Sequence, residues 1–269
     1  MSAPDRFAGL RAYTAARIGL GRSGPGIATA DHLAFRAAHA LARDAVNASL
    51  DLDAMEAALA PLGAAVLRVE SRAPDQATYL TRPDLGRRLA DPSVALLREH
   101  GAGEEIAVLV AGGLSARAVA SHAAPLLALL VPVLRRAGRS VGPVCIAPRG
   151  RVALGDEVGA LLGARLAIVL IGERPGLTSP DSLGAYVTIG PRVGRTDADR
   201  NCVSNIRPEG MALPEAARRI GWLIDQAMAR GISGVTLKDD SDRSLVAGPA
   251  EVRALPGGAE QRAGAEQSR

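Results

Sequence analysis

Hydrophobic spacing changes character about one third of the way along the chain. Leu33, Ala34, Ala37, Ala38, Leu41, Ala42, Ala45 and Val46 recur every three or four residues, which predicts a helix with one apolar face and Thr29 or Asp31 as its N-cap. Asp51–Leu62 predicts a second helix, closed by Pro61-Leu62-Gly63, and Ala64–Ser71 a strand. The segment from Tyr79 to Arg88 is too polar for a core and is expected on a surface that contacts something. From residue 104 onward the runs become continuous. Glu105–Val110, Val144–Ala147, Leu166–Ile171 and Tyr186–Ile189 predict strands, the first of them apolar enough to be buried on both faces of a parallel sheet. Helices are expected around Val119–Leu130, Asp156–Leu162 and Pro214–Arg230, the last stopped by Gly231, with Val235-Thr236-Leu237 closing the sheet. Strand and helix alternating through short loops predict an α/β fold with a mostly parallel sheet. The expected division is a helical region at 1–100, an α/β domain at 101–246, and a disordered Ala/Gly/Pro/Glu/Arg tail at 247–269.

Composition narrows the picture. The chain has 269 residues, of which only 2% are aromatic, so its core must be built from Ala, Val, Leu and Ile. Aromatic side chains bury the most area each, and a large subunit interface is one way to compensate for their scarcity. The formal charge is +4, and Lys238 is the only lysine among 32 basic residues. These arginines are interleaved with acids along the chain, whereas a nucleic-acid surface clusters its basic residues, so no nucleic-acid role is expected. No apolar run approaches the ~20 residues of a membrane span. The N-terminus carries an acid and three arginines where a signal peptide needs an apolar core, which points to the cytosol. The two cysteines, Cys145 and Cys202, are too few for a disulfide framework or a four-ligand zinc site.

Ligands of open parallel sheets bind beyond the carboxyl ends of the strands. That rule selects Gly112–Ser115, Arg149–Val152, Gly172–Gly176 and the loop Asn201–Asn205. These loops offer glycine, amide and hydroxyl groups and contain no histidine; His32, His39, His100 and His122 fall on predicted helices or a helix end. No Gly-x-Gly-x-x-Gly follows a strand, no Gly-x-Ser-x-Gly elbow occurs, and the glycine-rich Leu20–Gly26 lacks the Lys-Ser/Thr of a phosphate loop. Ser115 reads as a helix N-cap, and Asp156 with Glu157 as acids complementing a helix dipole. Cys202 reads as a small buried residue without chemistry. Glu173 leaves two readings open: an ion pair with a neighbouring arginine, or a carboxylate accepting hydrogen bonds from a ligand's amides. The loops describe a binding crevice without a set of catalytic groups.

Several of these segments are distinctive as strings. Arg149–Glu157, Val169–Leu177, Asp197–Arg207, Leu237-Lys238-Asp239, Tyr79–Arg88 and Leu10–Gly24 closely resemble the small (light) subunit of ethanolamine ammonia-lyase, over roughly residues 10–242. The resemblance implies an adenosylcobalamin-dependent lyase that converts ethanolamine to acetaldehyde and ammonia. It implies a Rossmann-like small subunit covering the cobalamin, and a large-subunit partner in a hetero-oligomer that binds ethanolamine and carries the catalytic residues. By matching motifs, the cofactor contacts implied for this chain are Val152, Glu173 and Cys202, with no catalytic residue and no metal ligand. The family usually reads Asp-Gly-Leu-Ser where this chain has Gly112-Gly113-Leu114-Ser115. No Asp-x-His-x-x-Gly occurs, so the cofactor is expected to be base-on, keeping its own dimethylbenzimidazole on cobalt. Such an enzyme works in the cytoplasm, free or within a bacterial microcompartment; the short stretch before Leu10 favours the open cytosol. The other class of protein compatible with the loops is a stand-alone Rossmann-like binding or regulatory protein for a small ligand.

Overall fold

The strand predicted at Glu105–Val110 is observed at Ile106–Ala111, and every one of its residues is buried. Its alternate side chains serve two different cores. Ile106, Val108 and Val110 join one cluster, and Ala107, Leu109 and Ala111 join another on the opposite face of the sheet. This is the pattern of a strand covered on both sides by helices.

The structure, a computed structural model, describes residues 7–242 apart from Ala12, Ala15 and Ala102. The tail expected from Ala247 lies outside the described residues. Described residues up to Leu237 form one compact unit, and those from Lys238 belong to a second. In the first unit the chain runs through α1 (Ala8–Arg11), β1 (Arg22–Ser23), β2 (Gly26–Ile27), α2 (Thr29–Asn47), α3 (Leu52–Leu59), β3 (Val66–Arg68), α4 (Gln76–Thr81) and α5 (Asp91–His100). It continues through β4 (Ile106–Ala111), α6 (Ala116–Arg136), β5 (Val141–Ala147), α7 (Leu154–Leu161), β6 (Leu166–Gly172), β7 (Leu183–Ile189), β8 (Asn201–Ile206) and α8 (Leu213–Arg230). The main sheet has six strands in the order β3-β5-β4-β6-β7-β8. The pairings from β3 to β6 are parallel, and those of β6 with β7 and β7 with β8 are antiparallel. The expected α/β class with a mostly parallel sheet is therefore the observed one.

Residues of α3, α6 and α8 fill one face, and α5 and α7 fill the other. The core is almost wholly aliphatic, as the composition required, and Tyr79 is its only fully buried aromatic side chain among the described residues. Helix α6 has 21 residues and is long and apolar enough to cross a membrane, but much of it, including Val119, Leu126, Leu127, Leu130 and Leu134, is buried against the sheet. Its N-cap is Ser115, whose side chain accepts from the Ala118 N–H, as expected. Gly231 ends α8 in the left-handed conformation, also as expected.

Four local expectations are corrected. Helix α2 is capped by Ala28 without a side-chain hydrogen bond, so neither Thr29 nor Asp31 caps it. Its apolar stripe is mostly exposed: Ala45 is the one buried residue of the helix, while Leu33, Phe35 and Leu41 face outward. The triplet Val235-Thr236-Leu237 is not a strand; Gly234–Thr236 form a 3-10 turn, with Val235 exposed. Conversely, Asn201–Asn205 is not a loop: it belongs to β8, with Asn201, Cys202 and Val203 paired to β7 and a register shift before Ile206.

Candidate functional site

The parallel strands bring their carboxyl-end loops together. After β4, the Gly112 N–H donates to Ala147 O on β5 (2.9 Å), and the Leu114 N–H donates to Gly172 O on β6 (2.9 Å). The three loops are thereby laced by their main chains. Beside them lies a cavity of about 450 Å³, with Tyr79, Arg151, Val152, Ile171, Glu173 and Tyr186 in its wall. A groove of about 490 Å³ between α3 and α6 is lined mainly by Ala, Pro, Leu and Val, and Arg135, its one charged residue among those described, donates to Leu62 O. It has no converging polar groups and no evident chemistry.

One wall of the strand-end cavity comes from the segment expected to be too polar for a core. Tyr79 is fully buried, and its hydroxyl donates to Gly150 O at 3.0 Å. The Arg151 guanidinium lies 4.4 Å from the Tyr79 ring centre and donates from Nη2 to Tyr79 O at 2.9 Å. The Arg151 N–H donates to Gly86 O (2.8 Å), so residues 79–86 clamp the loop that carries Val152. Burial raises the Tyr79 pKa, which keeps the phenol protonated as a donor. Tyr79 was missed in the sequence because its neighbours are polar. A tyrosine in so aromatic-poor a chain was the available signal.

Glu173 begins the loop after β6. Its Oε2 accepts from the Ser182 hydroxyl and from the Asn205 N–H (3.2 Å), and no described residue donates to Oε1. Asn205 has φ 57°, a left-handed conformation that asparagine tolerates, and this turns its N–H toward the carboxylate. Across β7, a Cβ on Gly184 would stand 2.9 Å from Glu173 Oε1, so the absence of a side chain there leaves room for the carboxylate. Glu173 thus accepts hydrogen bonds from neutral donors, and among the described residues no arginine pairs with it. Between the two readings open in the sequence, the structure favours the acceptor.

Cys202 stands opposite Tyr186 in the β7–β8 register. It is exposed, which corrects the expectation of a small buried residue; Cys145 is the buried thiol. The low-dielectric wall raises the Cys202 pKa, Tyr186 lowers it, and the nearby Glu173 carboxylate raises it further. Burial pushes Cys145 up to about 12. The structure therefore brings Val152 and Glu173 into one cavity wall and leaves Cys202 outside that wall, paired across β7–β8 with Tyr186, which lines it.

Two acids expected only to complement the dipole of α7 do more. Asp156 Oδ1 accepts from Arg200 Nη1 at 2.6 Å, with side chains 3% and 2% exposed. Glu157 takes a two-pronged contact from Arg88 (3.1 Å each) and accepts from the Leu89 N–H at 2.8 Å. One helical turn thus anchors the chain leading into β8 and the chain leaving the Tyr79 clamp. Among the described residues no group of His, Cys, Asp and Glu is arranged to hold a metal ion.

A family profile described as ethanolamine ammonia-lyase light chain matches residues 4–238. The chain belongs to that family. It is 51% identical over 256 residues, 94% of each chain, to the ethanolamine ammonia-lyase small subunit of Xanthomonas campestris pv. campestris. It is also 52% identical to the Azotobacter vinelandii small subunit, over 87% of this chain and 88% of that one. The Rhodopseudomonas palustris small subunit is 54% identical, over 86% and 89%. The resemblance carried by the loop strings is thereby established for nearly the whole chain.

Within this member of the family, the glycine at 112 has a physical reason. A Cβ there would lie 2.3 Å from the Pro148 carbonyl oxygen, so the loops after β4 and β5 meet backbone to backbone. Gly112→Ala is expected to destabilise the fold by ~1–3 kcal/mol through overpacking, and Gly112→Asp at least as much. Thermal unfolding of the two variants checks this; an unchanged Tm in both would mean that the loops part without strain.

Proposed function

We propose that this chain is the small subunit of an adenosylcobalamin-dependent ethanolamine ammonia-lyase, covering the cofactor at the interface with a large subunit that binds ethanolamine. The observation that carries the reading is the open acceptor Oε1 of Glu173, held in a strand-end cavity wall with Val152. The corrin is rimmed with primary amides, whose N–H groups need acceptors, and the donor set fits that requirement. Glu173 offers a carboxylate oxygen already oriented by Ser182 and Asn205. Val152 offers main-chain groups beside the Tyr79–Arg151 platform, and Cys202 lies on β8, an edge strand of the main sheet among the described residues. When bound, adenosylcobalamin supplies the radical chemistry by which ethanolamine yields acetaldehyde and ammonia. The residues of this chain hold the corrin edge and exclude water from it.

The division of labour follows from what lines the cavity. Among the described residues Glu173 is its one carboxylate and no histidine borders it, so we assign the proton transfers to the partner. His32 and His39 lie on α2, His100 ends α5, and His122 is buried on α6, so we assign the cofactor the base-on form. The exposed apolar side chains Leu33, Phe35 and Leu41 on α2 suit a helix covered by the large subunit.

Co-expression with a large subunit tests the proposal by gel filtration, corrin absorbance and ethanolamine turnover. The expected result is a hetero-oligomer that retains the corrin spectrum and turns over ethanolamine, while the isolated chain does not. Turnover by this chain alone, or a stable monomer that neither joins a large subunit nor binds cobalamin, would overturn the assignment.

A further inference from the structure

Beyond Val152 the strand-end cavity is adjoined by a second cleft of about 390 Å³, and Arg151 and Val152 belong to the walls of both. Four arginines, Arg87, Arg151, Arg195 and Arg200, line this cleft, and among the described residues Asp197 is its one acidic lining residue. Their states differ. Arg195 pairs with Asp199 at 3.0 Å and donates to Gly190 and Ile189 carbonyls. Arg200 pairs with buried Asp156, and its Nε lies 3.6 Å from Asp197, whose side chain is 98% exposed at the rim. Arg87 and Arg151 have no carboxylate partner among the described residues. Arg87 is exposed at the end of the Leu85–Arg87 turn, and Arg151 has a buried Nε without any hydrogen-bond partner. An unmatched arginine pair in a concave wall, one with an orphaned buried N–H, is a site prepared for an oxyanion.

We propose that this cleft takes a phosphodiester, and that the phosphodiester is the one in the nucleotide loop of the cofactor. The inference rests on the cobalamin reading above and adds a second point of attachment. The nucleotide loop hangs from the rim of the corrin, so a corrin held at Val152 and Glu173 places its only anionic group beside the macrocycle. The arginine cleft is contiguous with that position through Val152 and Arg151. Its chemistry also separates the labour within the site: Glu173 accepts from neutral amides, and Arg87 with Arg151 donates to the phosphate.

The test compares adenosylcobalamin with adenosylcobinamide, which keeps the corrin and its amides but lacks the nucleotide loop. Equilibrium dialysis in the dark, on the complex of this chain with its large subunit, reads both affinities by corrin absorbance. Arg87→Ala is expected to weaken adenosylcobalamin binding about tenfold and to leave adenosylcobinamide affinity within about twofold of wild type, the loss shrinking as salt is added. Arg87→Lys is expected to recover part of the loss, since it restores the charge without the fork. An exposed side chain makes Arg87 safe to replace without unfolding the chain. Equal losses for the two corrinoids, or none for adenosylcobalamin, would overturn the proposal. Unchanged cobalamin affinity together with weakened binding of inorganic phosphate would assign the cleft to free phosphate instead. A wild-type complex that binds neither corrinoid would remove the cobalamin reading itself, an outcome distinct from all of these.

Discussion

Replacing Glu173 with alanine is expected to weaken adenosylcobalamin binding to the assembled enzyme by about ten- to a hundredfold. A hydrogen bond between a charged acceptor and a neutral donor is worth ~1.5–3 kcal/mol, which converts directly into that range. The geometry sharpens the expectation. Oε2 is held by Ser182 and the Asn205 N–H, so the alanine variant also strands two donors that now have a partner. Glu173→Gln keeps the shape and one acceptor oxygen but brings an N–H toward other donors, so an intermediate loss is expected. At saturating cofactor both variants should recover most of kcat, because an interaction equal in ground and transition states raises affinity without speeding chemistry. Titration of the variant complexes with cofactor, followed by turnover at saturation, checks both halves. Normal affinity with kcat reduced by orders of magnitude in Glu173→Gln would make Glu173 an acid–base residue.

The largest effect on stability is expected at Arg200. Its side chain and that of Asp156 are almost wholly buried and meet at 2.6 Å, with Arg200 Nη2 also donating to Arg195 O. Removing the guanidinium strands a buried carboxylate, at a cost of ~3–5 kcal/mol, whereas replacing both partners by apolar residues of similar volume is often close to neutral. Arg200→Ala should therefore lower Tm by roughly 6–20 °C for a chain of this size, and Arg200→Met with Asp156→Leu by much less. Burial already raises the Asp156 pKa, with Arg200 opposing the rise. In Arg200→Ala that opposition is gone and the folded pKa moves further up. The folded state then holds a proton that the unfolded chain has released, so stability falls as pH rises from the ordinary carboxylate range through the folded value. The gap between wild type and variant should thus be narrow at acid pH and widen toward neutrality. Thermal unfolding across that range measures it, and a gap that closes as pH rises would show that Arg200 is not what stabilises the Asp156 carboxylate.

The sequence by itself determined the α/β architecture and the choice of loops. Parallel strands buried on both faces need unbroken apolar runs, and Ile106–Val110 and Leu166–Ile171 have no other soluble explanation; amphipathic spacing and Gly231 fixed α8. Strand-end loops followed from that layout, and Val152 and Glu173 do line one cavity. What the sequence left open or misread depends on neighbours distant along the chain. β8 read as a loop because an edge strand exposes one face and keeps polar residues there, such as Ser204 and Asn205. Val235–Leu237 read as a strand because three residues carry too little periodicity to separate a strand from a turn. Tyr79 became core only where Arg151 and Gly150 came to meet it, more than 70 residues on. The same holds for charge: Asp156 finds Arg200 across 44 residues and Glu157 finds Arg88 across 69. Side-chain periodicity is a short-range property and can be read locally, whereas the pairing of buried polar groups is decided by which segments the sheet topology brings together.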